Sequence, residues 1–513
     1  MRSWELTVAL DSRSELPLFL QLAEAVLADI RTGRLLPGAR LPGSRTLAQT
    51  LGIHRNTVLA GYAELAAQGW IETTRAGGTF VARQLPSPWR GPLGTPALGP
   101  HRARAGYDLG PPLDLPLPPA WPTGTLVLAK GAPDPRLVPV AELTRAYRSA
   151  LARHGAELVG YGDPRGHVRL RTALSEMLTT TRAIACGPED VVVTRGSQMA
   201  LDLVARALLR PGDAVAVESL GHRGAWTALR LAGGELFPVP VDSAGLDVAA
   251  LADLAARRRI RAVYVTPHHQ FPTTAVLPAA RRLQLLQLAR ALRMAVIEDD
   301  YDHEFHYDGR PVLPLAARDD AGVVVYVGTL SKVLAPGLRM GYLVAPPAML
   351  ERIQALRQVA DLQGDLAHEC AVAELFEEGD LMRHVRRMRR VNRARRDALV
   401  ESLRRRLSGV VEFAVPPGGM ALWARVAPDV DVEAWSARAL GRGVAFRGGR
   451  FYDFDGAALQ ATRLGFTPLD ERELDEAVKR MVEALPPARP APGPLPRGRA
   501  ARLSAPSPAA ATR

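Results

Sequence analysis

GTLSKVLAPGLRMGY, residues 328–342, decides how this chain is read. The apolar run VVVYV (323–327) leads into it, and MGYLVA (340–345) leaves it. Lys332 therefore lies in a loop between two apolar strands, hemmed in by Val327, Leu330, Val333 and Leu334 and followed by Gly337. A lone lysine is ordinarily a solvated surface residue. One held among apolar side chains is desolvated, loses basicity and can form a Schiff base with an aldehyde. Thr329, Ser331 and Arg339 add two hydroxyls and a guanidinium, the equipment for a phosphate.

Working outward, DVVVT (190–194), DAVAVES (213–219), AVYVTP (262–267) and MAVIEDD (294–300) read as further short buried strands. Helical sequence such as LPAARRLQLLQLARAL (277–292) separates them. Continuous apolar strands alternating with helices predict an α/β fold with a mostly parallel sheet. Ligands of such sheets bind outside the carboxyl ends of the strands. At those ends, Gly196, Ser197 and Gln198 open a helix whose backbone amides make a second anion cradle. Asp299 and Tyr301 stand two residues apart on an extended segment, so their side chains face one pocket. A carboxylate there can hold a pyridine nitrogen protonated, and a phenol can hold a ring oxygen. Aldehyde-binding lysine, phosphate donors, carboxylate and phenol together specify pyridoxal 5'-phosphate.

The chain has 513 residues, 47% hydrophobic and 23% charged, with a formal charge of +12. This composition excludes wholesale disorder. Two cysteines, Cys186 and Cys370, exclude a disulfide scaffold and fit a reducing cytosol. The N-terminal MRSWELTVALDSRSE carries acids where a signal peptide needs an apolar core, and no long apolar run predicts a membrane span. A cytoplasmic protein is expected. Residues 485–513 hold five arginines and no acid among Pro and Ala, which predicts a disordered tail. Eleven prolines from Pro86 to Pro122 predict an extended linker over 84–125. It divides a basic unit, 1–83, from a body, 126–484.

The basic unit has its own pattern. Leu18, Leu22, Val26 and Ile30 give one helix an apolar face. SRTLAQTL follows with Ser44 as the expected cap, and a third helix from Arg55 is expected to bury Val58, Tyr62, Leu65 and Ala66. WIETTRAGGTFVAR alternates about Gly77 and Gly78 as a β-hairpin. Three helices and a hairpin form a winged helix-turn-helix. Its third helix would enter the major groove of double-stranded operator DNA with His54, Arg55, Asn56 and Thr57 at the base edges. Arg45, opening the second helix, and Arg75, in the wing, are placed to hold phosphates.

The stretch LPGSRTLAQTLGIHRNTVLAGYAELAAQGWIE…GGTFV resembles the GntR-type winged helix. YGDPRGHVRLR (161–171), TRGSQMALDL (194–203), TPHHQFPTT (266–274), IEDDYDHEFHY (297–307), GTLSKVLAPGLRMGY and TRLGFT (462–467) resemble a fold type I aminotransferase. Joined through a linker, the two resemble the MocR family of bacterial regulators. The resemblance implies that Lys332 carries the cofactor as an imine, that Asp299 meets the pyridine nitrogen and that Tyr301 meets the phenolic oxygen. It assigns the phosphate to Ser197, Gln198, Thr329, Ser331 and Arg339, and the carboxylate of an amino acid ligand to Arg463. It also implies a homodimer, and an effector that is an amine, an amino acid or pyridoxal phosphate itself.

Three departures from the aminotransferase pattern stand out. ESLGHRG offers His222 where relatives stack an aromatic ring on the cofactor. Thr274 replaces a turn glycine and is expected to narrow the pocket. Phe271 stands where transaminases often carry an asparagine, as it does in the regulators, which points toward sensing rather than turnover. A true aminotransferase with an appended DNA-binding head is the alternative reading. His268, His269, His303 and His306, the last two expected on one helical face, lie among Asp299, Asp300 and Glu304, but no tight ligand pattern such as HExxH occurs. No metal is expected. RHVRRMRRVNRARR (383–396), with eight arginines and no acid, reads as an amphipathic helix with a solvated face over Val385, Met388 and Val391.

Overall fold

The computed structural model describes residues 10–11, 13–74, 78–86, 108, 120–309 and 311–486. Most of the expected linker, Arg75 with the tip of the hairpin, and nearly all of the expected tail lie outside the described residues. The chain divides into two compact units, residues 1–114 and 115–513.

In the first unit, helices Leu18–Arg31, Ser44–Leu51 and Arg55–Ala67 precede strands Ile71–Thr74 and Gly78–Val81, which pair antiparallel. Leu22, Val26, Leu27 and Ile30 are buried with Leu47, Val58, Tyr62 and Leu65. Two expectations are corrected. Ser44 is the first helical residue rather than the cap; Gly43 takes the cap position in extended conformation and offers no side-chain bond. Ala66 is exposed and Gly61 is buried in its place. Ala66 lies eight residues beyond Val58, about 80° further round the helix, and so turns away from the core. At Gly61 an added Cβ would stand 2.9 Å from the Phe19 carbonyl oxygen, so glycine sets how closely the first and third helices approach.

The second unit is built on a seven-stranded sheet. Its strand order is Val191–Thr194, Gly341–Val344, Val324–Thr329, Ala295–Asp300, Ile260–Val265, Ala214–Glu218, Glu235–Val239. All are mutually parallel except Gly341–Val344, which pairs antiparallel with both neighbours. Alternate side chains enter two cores. Val215, Val217, Tyr264 and Ile297 pack with Leu201, Val204 and Trp226 on one face. Ala216, Val263, Val265 and Val296 pack with Leu251, Leu285 and Ala289 on the other. Burial on both faces is why these strands read as unbroken apolar runs.

A smaller antiparallel sheet, Val411–Phe413, Ala421–Val426 and Ala461–Gly465, follows. Trp435, Phe446, Leu464 and Phe466 fill its core with Leu474 and Met481. The arginine-rich segment is part of helix Asp380–Arg406. Its expected solvated face is incomplete. Arg395 is buried, donating to Asp134 at 2.8 Å and to the Thr467 carbonyl at 2.6 Å; Arg396, also buried, donates to Asp308 at 2.6 Å and to the Pro416 carbonyl at 2.9 Å. A 27-residue helix crossing one domain presents every side of its circumference somewhere, so some arginines meet protein instead of water.

Candidate functional site

The carboxyl ends of the parallel strands converge on Lys332. Its strand, Val324–Thr329, ends in a turn held by the Thr329 hydroxyl. That hydroxyl donates to the Met340 carbonyl at 3.1 Å and accepts from the Ser331 amide at 3.1 Å. Lys332 is half-buried and its Nζ donates to the Gly131 carbonyl at 3.0 Å. Burial pushes its basicity down to about 8, and the Arg463 guanidinium adds to the effect.

One strand over, Asp299 is buried. Its Oδ2 accepts from Tyr264 at 2.8 Å, while Oδ1 is buried without a partner. Burial raises this carboxyl to about 7. Tyr301 donates to the His269 carbonyl at 3.0 Å. Glu218, ending the strand beyond Ile260–Val265, accepts from the Thr266 hydroxyl at 2.7 Å and is pushed up to about 8 by burial; its Oε1 is also unpartnered.

Below the lysine loop, helix Ser197–Leu208 begins at Gly196, whose φ of +80° favours glycine. A Cβ there would fall 2.9 Å from Nη2 of Arg339, and one at Gly341 only 2.6 Å from the Gly196 carbonyl carbon. The two glycines therefore let the Arg339 loop close on the helix N-terminus. Arg339 donates to the Arg195 carbonyl at 2.9 Å, and Gln198 donates its side-chain amide to the Gly224 carbonyl at 2.9 Å. Thr329, Ser331, Arg339, Ser197 and Gln198 thus border one cradle of donors.

Arg463 comes from strand Ala461–Gly465 of the smaller sheet. It is buried, interacts with the Tyr301 phenol, and lies over the Phe271 ring with Cζ 4.8 Å from the centroid. His222 meets Phe271 edge-on at 5.7 Å, and burial holds its imidazole neutral, down to about 4. Thr274 adopts φ +62°, the left-handed conformation a glycine takes without strain. It borders an open cleft of about 670 Å³ together with Leu220, Trp423 and Arg425.

Several participants were not singled out from sequence. Tyr264, which supports Asp299, is one aromatic in an apolar strand. Glu218 looked like an ordinary strand end. Tyr452 is buried, meets Phe271 at 5.7 Å and has an unpartnered hydroxyl, yet comes from a loop with no strand-end signal.

Asp300 points to the other side of its strand. There it accepts from Tyr326 at 2.7 Å and from His303 at 2.9 Å, with Arg182 at 3.9 Å. His303 and His306 do not share a helix: His303 lies in a turn and His306 bridges to Gly418. His268, Asp300 and His303 come together instead, as a buried group with metal-ligand atom types. The Tyr326, His303 and Arg182 contacts all fall on Oδ2 of Asp300, while its Oδ1 and Nδ1 of His268 are buried without a partner.

In the first unit, Arg45, His54, Arg55 and Asn56 are exposed and Thr57 is half-buried, at the starts of the second and third helices. His54 caps the third helix by accepting the Asn56 amide at 3.2 Å, and Arg55 donates to the Ser44 hydroxyl at 3.3 Å.

The residues present fit pyridoxal 5'-phosphate on this geometry. A buried carboxylate oxygen lacks a donor, an amine of lowered basicity sits beside it, and a donor cradle lies below. Comparison with known proteins agrees. The family described as "Aminotransferase class I and II" matches residues 125–481, and "Bacterial regulatory proteins, gntR family" matches residues 18–81. The probable rhizopine catabolism regulatory protein MocR of Rhizobium meliloti is 32% identical, covering 93% of this chain and 95% of that protein. The HTH-type transcriptional regulator TauR of Rhodobacter capsulatus is 31% identical over 91% of this chain and 96% of that one. Among solved structures, an alpha-aminoadipate aminotransferase from Thermus thermophilus, complexed with N-(5'-phosphopyridoxyl)-L-leucine, superposes with a TM-score of 0.66. It is 33% identical over 71% of this chain and 92% of that one. With an aminotransferase domain behind a GntR-type head, and likeness to a MocR protein along nearly its whole length, the chain belongs to the MocR-type family of transcriptional regulators.

Proposed function

We propose that the chain is a pyridoxal 5'-phosphate-dependent transcriptional regulator. In this reading residues 1–83 bind operator DNA, and residues 126–484 sense an amino compound, or the cofactor itself, at Lys332. Residues 84–125 are a linker and 485–513 a tail. The observation that carries the reading is the pairing of the Lys332 amine with the buried, half-satisfied carboxylate of Asp299 in one pocket.

Pyridoxal 5'-phosphate supplies an aldehyde that one amine at a time can hold. Lys332 is this chain's own amine, and its lowered basicity keeps a larger fraction of it nucleophilic. Asp299 would hold the proton of the ring nitrogen and Tyr301 the ring oxygen. Ser197, Gln198, Thr329, Ser331 and Arg339 would hold the phosphate, with His222 beside the ring. Arg463 offers its planar fork to the carboxylate of an incoming amino acid. Such a ligand switches DNA binding only if it favours one arrangement of the protein over another.

A homodimer belongs to this reading. The exposed apolar side chains Val159, Tyr161, Val359 and Leu362 lie on either side of the Gln363–Gly160 hydrogen bond, a surface a second copy would cover. Among the described residues no helix is long and apolar enough to cross a membrane, and the proposed location is the cytoplasm, where operator DNA is found.

An electrophoretic shift with DNA upstream of the chain's own coding sequence tests the regulatory part. Arg55→Ala is expected to weaken binding roughly ten- to hundredfold, the scale of one lost bidentate base contact of about 1–3 kcal/mol. Unchanged affinity contradicts the placing of the third helix. The second reading, transamination, is favoured by the full set of amine, carboxylate and phosphate donors and by 34% identity to a 2-aminoadipate transaminase of Thermus thermophilus. Steady multiple turnovers with an amino donor and a keto acceptor would establish it.

A further inference from the structure

A second cationic position is linked to Arg463 through a series of ring contacts. The Arg463 guanidinium rests on Phe271, Phe271 meets Tyr452 at 5.7 Å, and Tyr452 meets Phe451 at 5.1 Å. The Arg447 guanidinium lies over the last ring of this series, with Cζ 3.8 Å from the Phe451 centroid and 5.8 Å from that of Trp121. Tyr452 is within electrostatic reach of both cations. A guanidinium stacked on a ring keeps its in-plane N–H edge free for an acceptor.

Acceptors are missing. Among the described residues the Arg447 guanidinium has no hydrogen bond and no carboxylate partner; it meets the two rings and interacts more weakly with Tyr452 and Arg223. Nε of Arg463, the Tyr452 hydroxyl and Nε1 of Trp121 are all buried without a partner. Arg463 is 4% exposed and Tyr452 1%. The carboxylates that act on Lys332 are the opposite case, since Oδ1 of Asp299 and Oδ2 of Asp302 are buried acceptors without a donor. The protein leaves acceptors unmet near its amine and donors unmet from Arg463 to Arg447. Buried polar groups are ordinarily satisfied, so this polarity describes a ligand.

We propose that the effector is an amino compound bearing an acid group at each end, one gripped by Arg463 and the other by Arg447 with Tyr452 and Trp121. The inference rests on the cofactor pocket proposed above and names the class of ligand it admits. The opposing structural account is that Arg447 only clamps its loop between Phe451 and Trp121.

The test uses full-length, cofactor-free protein and a thermal-shift series of unbranched dicarboxylates, succinate to pimelate. Each is compared with the monocarboxylate of equal carbon number at matched ionic strength. At least one dicarboxylate is expected to raise the melting temperature at roughly ten- to hundredfold lower concentration than its partner, the scale of hydrogen bonds to a charged group. Arg447→Gln should abolish that preference while the unliganded melting temperature stays near wild type, and Arg447→Lys should retain part of it. Equal responses to mono- and diacids, or a preference that survives Arg447→Gln, overturn the proposal; the wild-type series decides even if the variant folds poorly. With pyridoxal phosphate added, L-glutamate or L-2-aminoadipate should perturb the visible absorbance at lower concentration than L-norvaline or L-norleucine. Absence of any such absorbance would defeat the cofactor reading, whereas the diacid preference of cofactor-free protein is measured without it.

Discussion

Asp299→Asn is expected to weaken pyridoxal 5'-phosphate binding on the order of a hundred- to a thousandfold. The carboxylate is buried and keeps one oxygen free, so the charge it offers a protonated ring nitrogen is little screened. Removing one partner of a buried charged pair costs about 3–5 kcal/mol, which sets the scale. Without cofactor the same change should stabilise the protein. Burial raises this carboxyl from 3.8 to about 7, so the folded chain holds the proton more tightly than the unfolded one. Its destabilising effect is absent below about pH 4, grows as pH rises, and is complete above about pH 7. Asparagine removes it, with a gain of about 1–3 kcal/mol above pH 7, reduced by the amide's own unmet donors. Calorimetric unfolding of cofactor-free protein at pH 5 and pH 8, with absorbance titration of the cofactor, checks both halves. Loss of stability at pH 8 together with unchanged affinity would contradict the role given to Asp299.

Lys332→Met is expected to do the same from the other side of the pair. The visible band of the loaded protein should vanish, because of the two other lysines Lys130 is exposed and Lys479 lies on helix Glu471–Glu483. The amine's pKa falls from 10.5 to about 8 on folding, chiefly through burial. Below pH 8 the amine is protonated in both states and its destabilising effect is whole; that effect fades as pH rises from about 8 to 10.5. Methionine keeps the volume without the charge and should raise the stability of cofactor-free protein by about 1–3 kcal/mol at neutral pH, with no gain above pH 10.5. Two substitutions that stabilise the empty protein and disable the loaded one mark residues held for function at a cost to the fold.

Much of this arrangement was readable in the chain. Strands covered on both faces leave unbroken apolar runs, so Val191–Thr194, Ala295–Asp300 and Val324–Thr329 stood out, and with them the residues at their carboxyl ends. What escaped depends on neighbours distant in sequence. Tyr264 matters because Asp299 lies beside it across a parallel pairing, and Tyr452 because its loop folds against the segment bearing His222, with the Gly221 amide donating to the Tyr452 carbonyl at 2.9 Å. Arg447 gave no signal at all, since its meaning is the lack of an ion-pair partner among the described residues. The errors were local. Serine is the commoner cap, which favours Ser44 on sequence, but the chain places Gly43 there. The spacing of His303 and His306 fits a helix, yet the carboxylate of Asp300 draws His303 into a turn.

The central claim is that Lys332 is the residue that bonds the cofactor. Full-length protein saturated with pyridoxal 5'-phosphate, reduced with borohydride, digested and mapped by mass spectrometry tests it directly. The account predicts one phosphopyridoxyl group, on the peptide containing Lys332, and none in Lys332→Met. An unmodified Lys332 in saturated protein, or a label of equal yield on Lys130 or Lys479, would contradict it.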